Sequence, residues 1–348
     1  MRFMLSIQRF SLLALAGSLF LTACDPQPEV PEVELPSPSE RVYVVNEGLF
    51  GSPTGEISLF NTTTKQVTSP ALYNSANRSP LGDNLQSMTV IGSKAYLAVT
   101  ASDSLNVVTL ADFRHAAGLR LKQPRYVLAV SATKAYVTQW NGFVAPGTVG
   151  IIDLATNRLT GTIGTGLGVL PEQLLLGKNG LVYVANSGSS FLTVINPATD
   201  AVQPPIATPA GPKALVQDNV GNIWVFCGQF GSASDHLIRF SPAAPTSQTD
   251  IAFRSDYNNG NLRISPAGLS IFISLNTGTY RLPITASALP ATPVVRRNFY
   301  GLGIDKDGVI YGATPRGTAN GYVARYTPEG TKIDSFQVGK YPNGFVFN

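Results

Sequence analysis

Hydrophobic residues occur along this chain in short runs, and they show almost no helical periodicity. The runs are four to eight residues long, are rich in Val, Ile, Tyr and Phe, and are separated by clusters of Gly, Pro, Asn and Thr. Runs of this length and composition, bounded by turn-forming residues, are typical of β-strands. The pattern therefore predicts an all-β chain.

One kind of run recurs, with a large aromatic residue near its centre. The seven copies are Val42–Asn46, Ala95–Val99, Ala135–Thr138, Val182–Asn186, Ile223–Phe226, Ile271–Ser274 and Ile310–Ala313. Their aromatic positions are 53, 40, 47, 41, 48 and 39 residues apart. This period is close to that of a four-stranded propeller blade and longer than that of leucine-rich or ankyrin repeats. The spacing predicts a seven-bladed β-propeller over residues 41–348.

A second set of positions indicates how the ring closes. Eleven residues before each later aromatic, a residue opens the predicted inner strand of its blade: Leu85, Arg125, Glu172, Lys213, Asn261 and Tyr300. The first repeat has no such strand, because it begins directly after the N-terminal region. The C-terminal segment from Tyr341 to Asn348 can supply it, which places Asn343 at the equivalent position. We expect the two ends of the chain to pair and so to protect the sheet edges.

Several copies resemble a known repeat type. Gly180–Ser187 followed by Leu192–Thr199, and the related segment Val149–Asn157, resemble the YVTN-type repeats of surface-layer-like propellers. The resemblance covers nearly the whole body of the chain. It implies the propeller fold and says little about the ligand.

The N-terminus has the order of a secretory signal. Arg2 and Arg9 precede or open an apolar stretch from Phe10 to Leu21, which is too short to span a bilayer as a helix. Leu21-Thr22-Ala23-Cys24 resembles the lipobox of bacterial lipoproteins. The resemblance implies removal of residues 1–23 and acylation of Cys24, for example by palmitate, which gives stable membrane attachment. A plain secretory signal with an incidental cysteine is the alternative.

Residues 24–40 read as a tether. Asp25–Glu40 holds five prolines, five acidic residues and no basic residue, so we expect an extended, self-repelling spacer. Its acidic start resembles the export signals of surface lipoproteins in some Gram-negative groups. This implies a location in the cell envelope, at the outer membrane and on its surface, although the membrane leaflet stays open.

Charge narrows the ligand class. The chain has 25 basic and 21 acidic residues; two arginines belong to the signal and five acids to the tether, which leaves a balance of +7 in the body. This favours anionic ligands. No Lys/Arg run or basic helix is present, so nucleic acid is not expected as a partner.

The longer loops are predicted to emerge on one face of the propeller, where binding residues are favoured. They carry large rings flanked by glycines and amides. A ring offers a stacking face, and an amide offers both a donor and an acceptor, as a flat or sugar-like ligand requires. The residues expected to rim one pocket are Asn46, Phe50, Gln139, Trp140, Phe143, Asn186, Gln229, Phe230 and Arg316. Alternatively, the rings fold down over their own loops as small satellite cores.

The residues that open the inner strands should surround the mouth of the central channel. Two cations, Arg125 and Lys213, could hold a phosphate or carboxylate there. The alternative is that they pair with Glu172 across the channel. Asn261, Tyr300 and Asn343 would add hydrogen-bonding groups.

Catalysis is not expected. Only His115 and His236 are present, no Cys pair or His-x-His spacing offers a metal site, and no nucleophile elbow or phosphate loop occurs. We therefore predict no cofactor and no catalytic residues.

The opening repeat narrows the function by resemblance. Tyr43–Gly51 is similar to a group of lipoprotein propellers from Gram-negative surfaces, some of which capture cobamides for a TonB-dependent outer-membrane transporter. This implies a surface module whose top face binds a ligand, with small molecules, glycans and proteins as candidates. One alternative is an adhesion or assembly scaffold, which would present a flat top without a deep pocket. Another is a propeller lyase or hydrolase.

Overall fold

The computed structural model describes residues 35–229, 231–254 and 261–347. Within these residues the chain forms seven antiparallel sheets arranged as the blades of a propeller. The inner strands of successive blades contact one another in order, and the last contacts the first. The predicted all-β, seven-bladed fold is confirmed. The expectations for Cys24 and Phe230 lie outside the described residues.

The strands of the first four blades follow in chain order. They are β1 Arg41–Asn46, β2 Glu56–Asn61 and β3 Gln66–Ser69 in blade 1; β4 Leu85–Ile91, β5 Lys94–Val99, β6 Ser104–Thr109 and β7 His115–Arg120 in blade 2; β8 Pro124–Ala129, β9 Lys134–Gln139, β10 Pro146–Asp153 and β11 Arg158–Val169 in blade 3; and β12 Pro171–Leu176, β13 Val182–Asn186, β14 Phe191–Asn196 and β15 Ala201–Ala207 in blade 4.

The remaining strands form the last three blades and complete the first. They are β16 Pro212–Gln217, β17 Ile223–Cys227, β18 Ser234–Ser241 and β19 Ala244–Arg254 in blade 5; β20 Leu262–Ile264, β21 Ser270–Leu275 and β22 Gly278–Pro283 in blade 6; β23 Gly301–Ile304, β24 Ile310–Arg316, β25 Ala319–Tyr326 and β26 Lys332–Gln337 in blade 7; and β27 Pro342–Phe347. In blade 6, a bridge from Thr279 to Val295 stands where a fourth strand would pair.

The ring closes as predicted. The C-terminal strand β27 pairs antiparallel with β1, with Val42 opposite Phe347 and Asn46 opposite Pro342. Blade 1 therefore consists of β27, β1, β2 and β3, in that order from the channel outward. The two ends of the chain hold the first blade together.

The recurring aromatic residue packs between neighbouring blades. It lies on the second strand of its blade and is almost fully buried in all seven copies: Tyr43, Tyr96, Tyr136, Tyr183, Trp224, Phe272 and Tyr311. Burial of a large apolar side chain contributes about 1.5–3 kcal/mol, so these residues stabilise the association of the blades. The tyrosine hydroxyls keep partners at the rim, as in the 2.8 Å bond from Tyr96 to Asn157 Oδ1.

Helix is scarce in the described residues. A short helix α1, Leu72–Asn77, fills the space between blades 1 and 2 with Leu72, Tyr73 and Ala76. A 3₁₀ turn, Pro38–Glu40, precedes β1. No helix in this part of the chain is long and apolar enough to cross a membrane.

The described end of the predicted tether differs from a free spacer. Leu35 packs against the hydrophobic cluster of blades 1 and 2, and the Nε of Arg41 donates a 2.6 Å bond to the carbonyl oxygen of Pro36. These contacts lie at the end of β1 remote from Asn46. The chain therefore enters the propeller on the face opposite the one where the inner strands begin.

Candidate functional site

The starts of the inner strands surround a cavity at one end of the central channel. Its volume is about 430 Å³, within the range of small-molecule sites. Seven residues predicted at the rim or the mouth line it: Arg125, Trp140, Glu172, Lys213, Asn261, Tyr300 and Asn343. The eleven-residue offset from each aromatic therefore located most of this site.

Leu85 is the exception. It is fully buried in the cluster between blades 1 and 2, and its neighbour Gln86 lines the cavity instead. A register shift at the start of the inner strand is common to blades 2 to 5, so it does not distinguish Leu85. The aromatic Tyr96 pairs with a residue seven positions earlier, Thr89, whereas the aromatics of blades 3 to 5 pair with residues eight positions earlier. The prediction for Leu85 is wrong because the hairpin between β4 and β5 is one residue shorter, so the eleven-residue offset falls one residue before the position that faces the channel.

Arg125 and Glu172 form a buried ion pair in the wall. The guanidinium Nε lies 3.2 Å from Glu172 Oε2, and Nη2 lies 3.1 Å from both carboxylate oxygens. The two residues are only 9% and 8% exposed. They belong to adjacent blades, so the predicted alternative of pairing holds, but between neighbours rather than across the channel. Arg125 is therefore already neutralised by the protein.

Burial shifts the pKa of Glu172 in this pair and of Lys213 beside it. Desolvation raises the pKa of Glu172, and the positive charge of Arg125 opposes that rise. Desolvation lowers the pKa of Lys213, which the carboxylates of Asp235 and Glu172 partly offset. Lys213 thus lies in a partly dehydrated environment beside acidic groups.

Trp140 covers the ion pair. Its ring lies 4.0 Å from the guanidinium carbon of Arg125, a cation–π contact, and 5.9 Å from the ring of Phe143. The Trp140 Nε1 is buried and, among the described residues, has no hydrogen-bond partner; the same holds for the Asn343 Oδ1. Orphaned polar atoms of this kind call for an explanation, and a bound polar group or water would supply one.

Glu47 is a cavity residue that the sequence reasoning did not select. Its Oε2 accepts a 2.7 Å bond from the Tyr300 hydroxyl, and its Oε1 accepts a 2.8 Å bond from Asn343 Nδ2. Burial raises the pKa of Glu47. The following Gly48 has φ +83°, and a Cβ there would lie 2.4 Å from the Gly55 nitrogen, so only glycine fits this turn. In the sequence, the pair Glu47-Gly48 directly after the first repeat was the signal that could have identified Glu47.

Four more polar side chains of the inner strands line the cavity: Gln86 at the mouth, and Tyr126, Gln173 and Arg263 further along their strands. Gln86 Nε2 donates a 2.7 Å bond to the Tyr126 hydroxyl. Gln173 Oε1 accepts a 3.2 Å bond from the backbone nitrogen of Leu215. The cavity thus has charged groups at its mouth, and its floor carries polar groups together with the charge of Arg263.

Asn46 and Asn186 do not reach this cavity. Both are fully buried at equivalent blade positions, where Nδ2 donates to the third strand: Asn46 to the Glu56 carbonyl and Asn186 to the hydroxyl of Thr193. Gln139 is also buried, with a weak 3.4 Å contact to Thr148. The prediction that these amides rim one pocket is corrected, because Asn46 and Asn186 bond the second strand of their blade to the third.

Phe50 and Phe143 also stay outside the lining. Phe50 is 89% exposed and Phe143 is 71% exposed, so neither folds down as a satellite core. Gln229 is exposed. Arg316 lies in a different cleft of about 440 Å³, where its guanidinium carbon is 5.4 Å from the ring of Tyr322. The predicted single rim of aromatics and amides is therefore dispersed.

Neither histidine belongs to the cavity. His115 opens the outermost strand of blade 2, and His236 lies on β18, where its Nδ1 is 3.0 Å from Asp250. Among the described residues, no group of three or more His, Cys, Asp and Glu could hold a metal ion.

Comparison of the sequence with known families assigns the chain to one of them. The sequence profile described as "Domain of unknown function (DUF5074)" matches residues 40–348. No curated protein matches the chain.

Solved propellers share the fold at low identity. A quinonprotein alcohol dehydrogenase-like protein from Bacteroides thetaiotaomicron is 12% identical, with a TM-score of 0.65 over 89% of this chain and 78% of its own. A protein from Lactobacillus plantarum is 14% identical, with a TM-score of 0.65 over 89% and 99%. The periplasmic gluconolactonase of Pseudomonas aeruginosa is 13% identical, with a TM-score of 0.64 over 88% and 98%. At these identities the likeness shows the fold alone.

Proposed function

The chain belongs to the DUF5074 family, and on the geometry of its channel mouth we propose that it is a binding module that takes part of a polar ligand into this cavity. One observation carries the proposal: charged and hydrogen-bonding side chains of all seven blades converge on an enclosed space of about 430 Å³. A few placed polar groups in a concave site are what gives a small ligand its orientation.

The shape of this face favours a small molecule over an adhesive surface. An adhesion or assembly scaffold would present a flat top, whereas the inner strands here begin around a recess. The recess is polar, and its walls are held by the Arg125–Glu172 pair and by the bonds of Glu47. Such internal bonds keep the donors in place before a ligand arrives, which reduces the cost of binding.

Binding is proposed rather than catalysis because of the side chains that line the cavity. Solved propellers of similar fold include proteins named as a gluconolactonase and a dihydro-heme d1 dehydrogenase, at 13% and 10% identity. In this chain both histidines lie on outer strands, and the two acids that line the cavity are already engaged, Glu172 by Arg125 and Glu47 by Tyr300 and Asn343. A lyase or hydrolase would need a general base within reach of its substrate.

The proposed lipid anchor is compatible with an outward-facing site. The chain joins the propeller on the face opposite the cavity mouth, where Leu35 and Arg41 are bound. If Cys24 is acylated, the 11 residues from there to Leu35 span at most about 40 Å. The membrane would then lie on the side where the chain joins the propeller, and the mouth of the cavity would point away from the membrane. A surface-exposed lipoprotein of the outer membrane fits this arrangement.

The nutrient candidate is a cobamide, passed on to a TonB-dependent transporter. Such a ligand carries a phosphate, a ribose and many amides, and the mouth offers cations, amides, hydroxyls and one aromatic ring. A molecule of this size would insert one part into the cavity while the rest lies on the exposed loops around Phe50 and Phe143.

Isothermal titration of the full chain with cyanocobalamin and with soluble envelope glycans tests the proposal. We expect binding of one ligand class that Trp140→Ala abolishes and Phe143→Ala, on the same loop but exposed, weakens far less. No heat with any ligand of the panel would count against small-molecule capture and would turn the search to protein partners. Labelled palmitate should enter the wild-type chain and not the Cys24→Ser variant.

A further inference from the structure

The floor of the cavity holds an arginine whose charge is not balanced. Arg263 lies on β20, two residues beyond Asn261, and its half-buried side chain lines the channel. Its guanidinium donates one bond, from Nη1 to the carbonyl oxygen of Leu262 at 2.8 Å. In the part of the chain that the structure describes, no carboxylate lies within salt-bridge distance of it.

The other enclosed arginines of the described residues are satisfied differently. Arg239, half-buried like Arg263, has no carboxylate within salt-bridge distance, but its two terminal nitrogens donate to the carbonyl oxygen of Ile284 and to the hydroxyl of Thr249. Arg125 is held by Glu172 and Arg325 by Asp334. Arg41 donates to two backbone carbonyls and to the hydroxyl of Tyr43. A guanidinium has five N–H donors and stays charged at any physiological pH. Most of the N–H donors of Arg263 therefore have no acceptor among the described residues.

A second donor faces the same space. The Tyr126 hydroxyl accepts a bond from Gln86, so its own proton is directed elsewhere. Burial raises the pKa of Tyr126 to about 12, which keeps that proton in place at neutral pH. Arg263 and Tyr126 line the same cavity, although their strands belong to blades on opposite sides of the channel.

The cavity thus contains two hydrogen-bond donors, Arg263 and Tyr126, and a positive charge without a carboxylate partner among the described residues. A group with negatively charged oxygen atoms would accept bonds from both donors and balance the charge. We propose that Arg263 and Tyr126 form an oxyanion site at the floor of the cavity, which receives a carboxylate or phosphate group of the ligand. The inference rests on the proposed function and names the part of the ligand that enters first. Charge-assisted bonds of this kind are the strongest that a guanidinium makes.

The two acids of the cavity do not neutralise Arg263, so an anion can bind there. Glu172 is neutralised by Arg125, and Glu47 accepts bonds from Tyr300 and Asn343 nearer the mouth. The lining of the cavity includes three cations, Arg125, Lys213 and Arg263, and two carboxylates, Glu47 and Glu172. The buried carboxylate of Asp235 acts on Lys213, so the charge left for an oxyanion to balance is that of Arg263.

The test uses the full chain with inorganic phosphate and, separately, with acetate, at constant ionic strength set by chloride. The melting temperature of the wild type should rise with one or both anions, because a ligand that binds only the folded state stabilises it. The affinity from this rise should fall about tenfold or more in Arg263→Gln and severalfold in Tyr126→Phe. Arg158→Gln, at an exposed residue that begins β11, should respond like the wild type.

A purely structural arginine would behave differently. Without anion, Arg263→Gln should melt above the wild type, since it removes a desolvated charge. A lower melting temperature, an unchanged anion response, or no response in the wild type would each overturn the site. The ratio of phosphate to acetate affinity identifies which oxyanion is preferred.

This outcome is separable from the proposed function. If Trp140→Ala abolishes binding of a larger ligand while Arg263→Gln leaves it intact, the cavity binds but the oxyanion site is wrong. If small anions bind through Arg263 and no larger ligand does, the oxyanion site stands without the proposed nutrient.

Discussion

The guanidinium of Arg125 holds both carboxylate oxygens of Glu172 at 3.1 Å, beneath the ring of Trp140. The pair joins the inner strands of blades 3 and 4, and its two residues are only 9% and 8% exposed. A buried pair of this kind costs more to break than it contributes when formed, because the remaining charge is left without a partner.

Glu172→Gln should therefore lower the free energy of unfolding by about 3 kcal/mol, and Arg125→Met by a similar amount. The double variant Arg125→Met/Glu172→Leu should recover most of this loss, since it leaves no buried charge. Urea unfolding of the four proteins gives the coupling energy. Additive losses in the double variant would show that the two residues do not act as a pair.

Glu47 makes stability depend on pH. Burial raises its pKa above the value in the unfolded chain, which is about 4.3. Between these two pKa values the folded protein binds more protons than the unfolded one, so stability falls as the pH rises through that interval. Glu172 acts in the same direction.

Replacing Glu47 by Gln should reduce this slope without abolishing it. The measurement is the free energy of unfolding in urea at steps from about pH 4 upward. Glu329→Gln, in an exposed turn of blade 7, serves as the control and should follow the wild type. An identical slope in Glu47→Gln and wild type would mean that this carboxyl is not destabilised by burial.

The sequence predicted the framework because strand period and repeat spacing are local signals. The second strand of each blade is apolar on both faces, since it is packed between two blades, so its run stands out. The same spacing placed the inner strands, and hence Arg125, Glu172 and Lys213, at the mouth. The pairing of β27 with β1 followed from a strand missing at one end and present at the other.

Other parts of the site depend on contacts that no local pattern carries. Glu47 enters the mouth because the backbone turns at Gly48 against Gly55. Arg263 follows the strand opening by two residues, and nothing in its neighbours distinguishes it from a solvated arginine. The burial of Asn46 and Asn186 depends on their bonds to the third strand. In the sequence alone, these two residues resemble amides of a loop.

Trp140 should matter for both stability and binding. The ring is half-buried and rests on Arg125 at 4.0 Å, so Trp140→Ala should lower the free energy of unfolding by about 1–2 kcal/mol. Phe143→Ala, at an exposed ring, should stay within about 0.5 kcal/mol of wild type. Equal losses in both variants would show that the loop, rather than the contact with Arg125, carries the effect.

Closure of the ring should be essential for folding. The strand β27 supplies the inner edge of blade 1, and its Phe345 and Phe347 pack against Tyr311 of blade 7. Deleting residues 342–348 would expose β1 as an unpaired edge and remove these contacts, so we expect soluble aggregates in place of a monomer. Deleting Asn348 alone keeps β27 and is the control. Size-exclusion chromatography and the far-ultraviolet circular dichroism spectrum distinguish the two. A folded, monomeric protein without residues 342–348 would show that the blades associate without this closure.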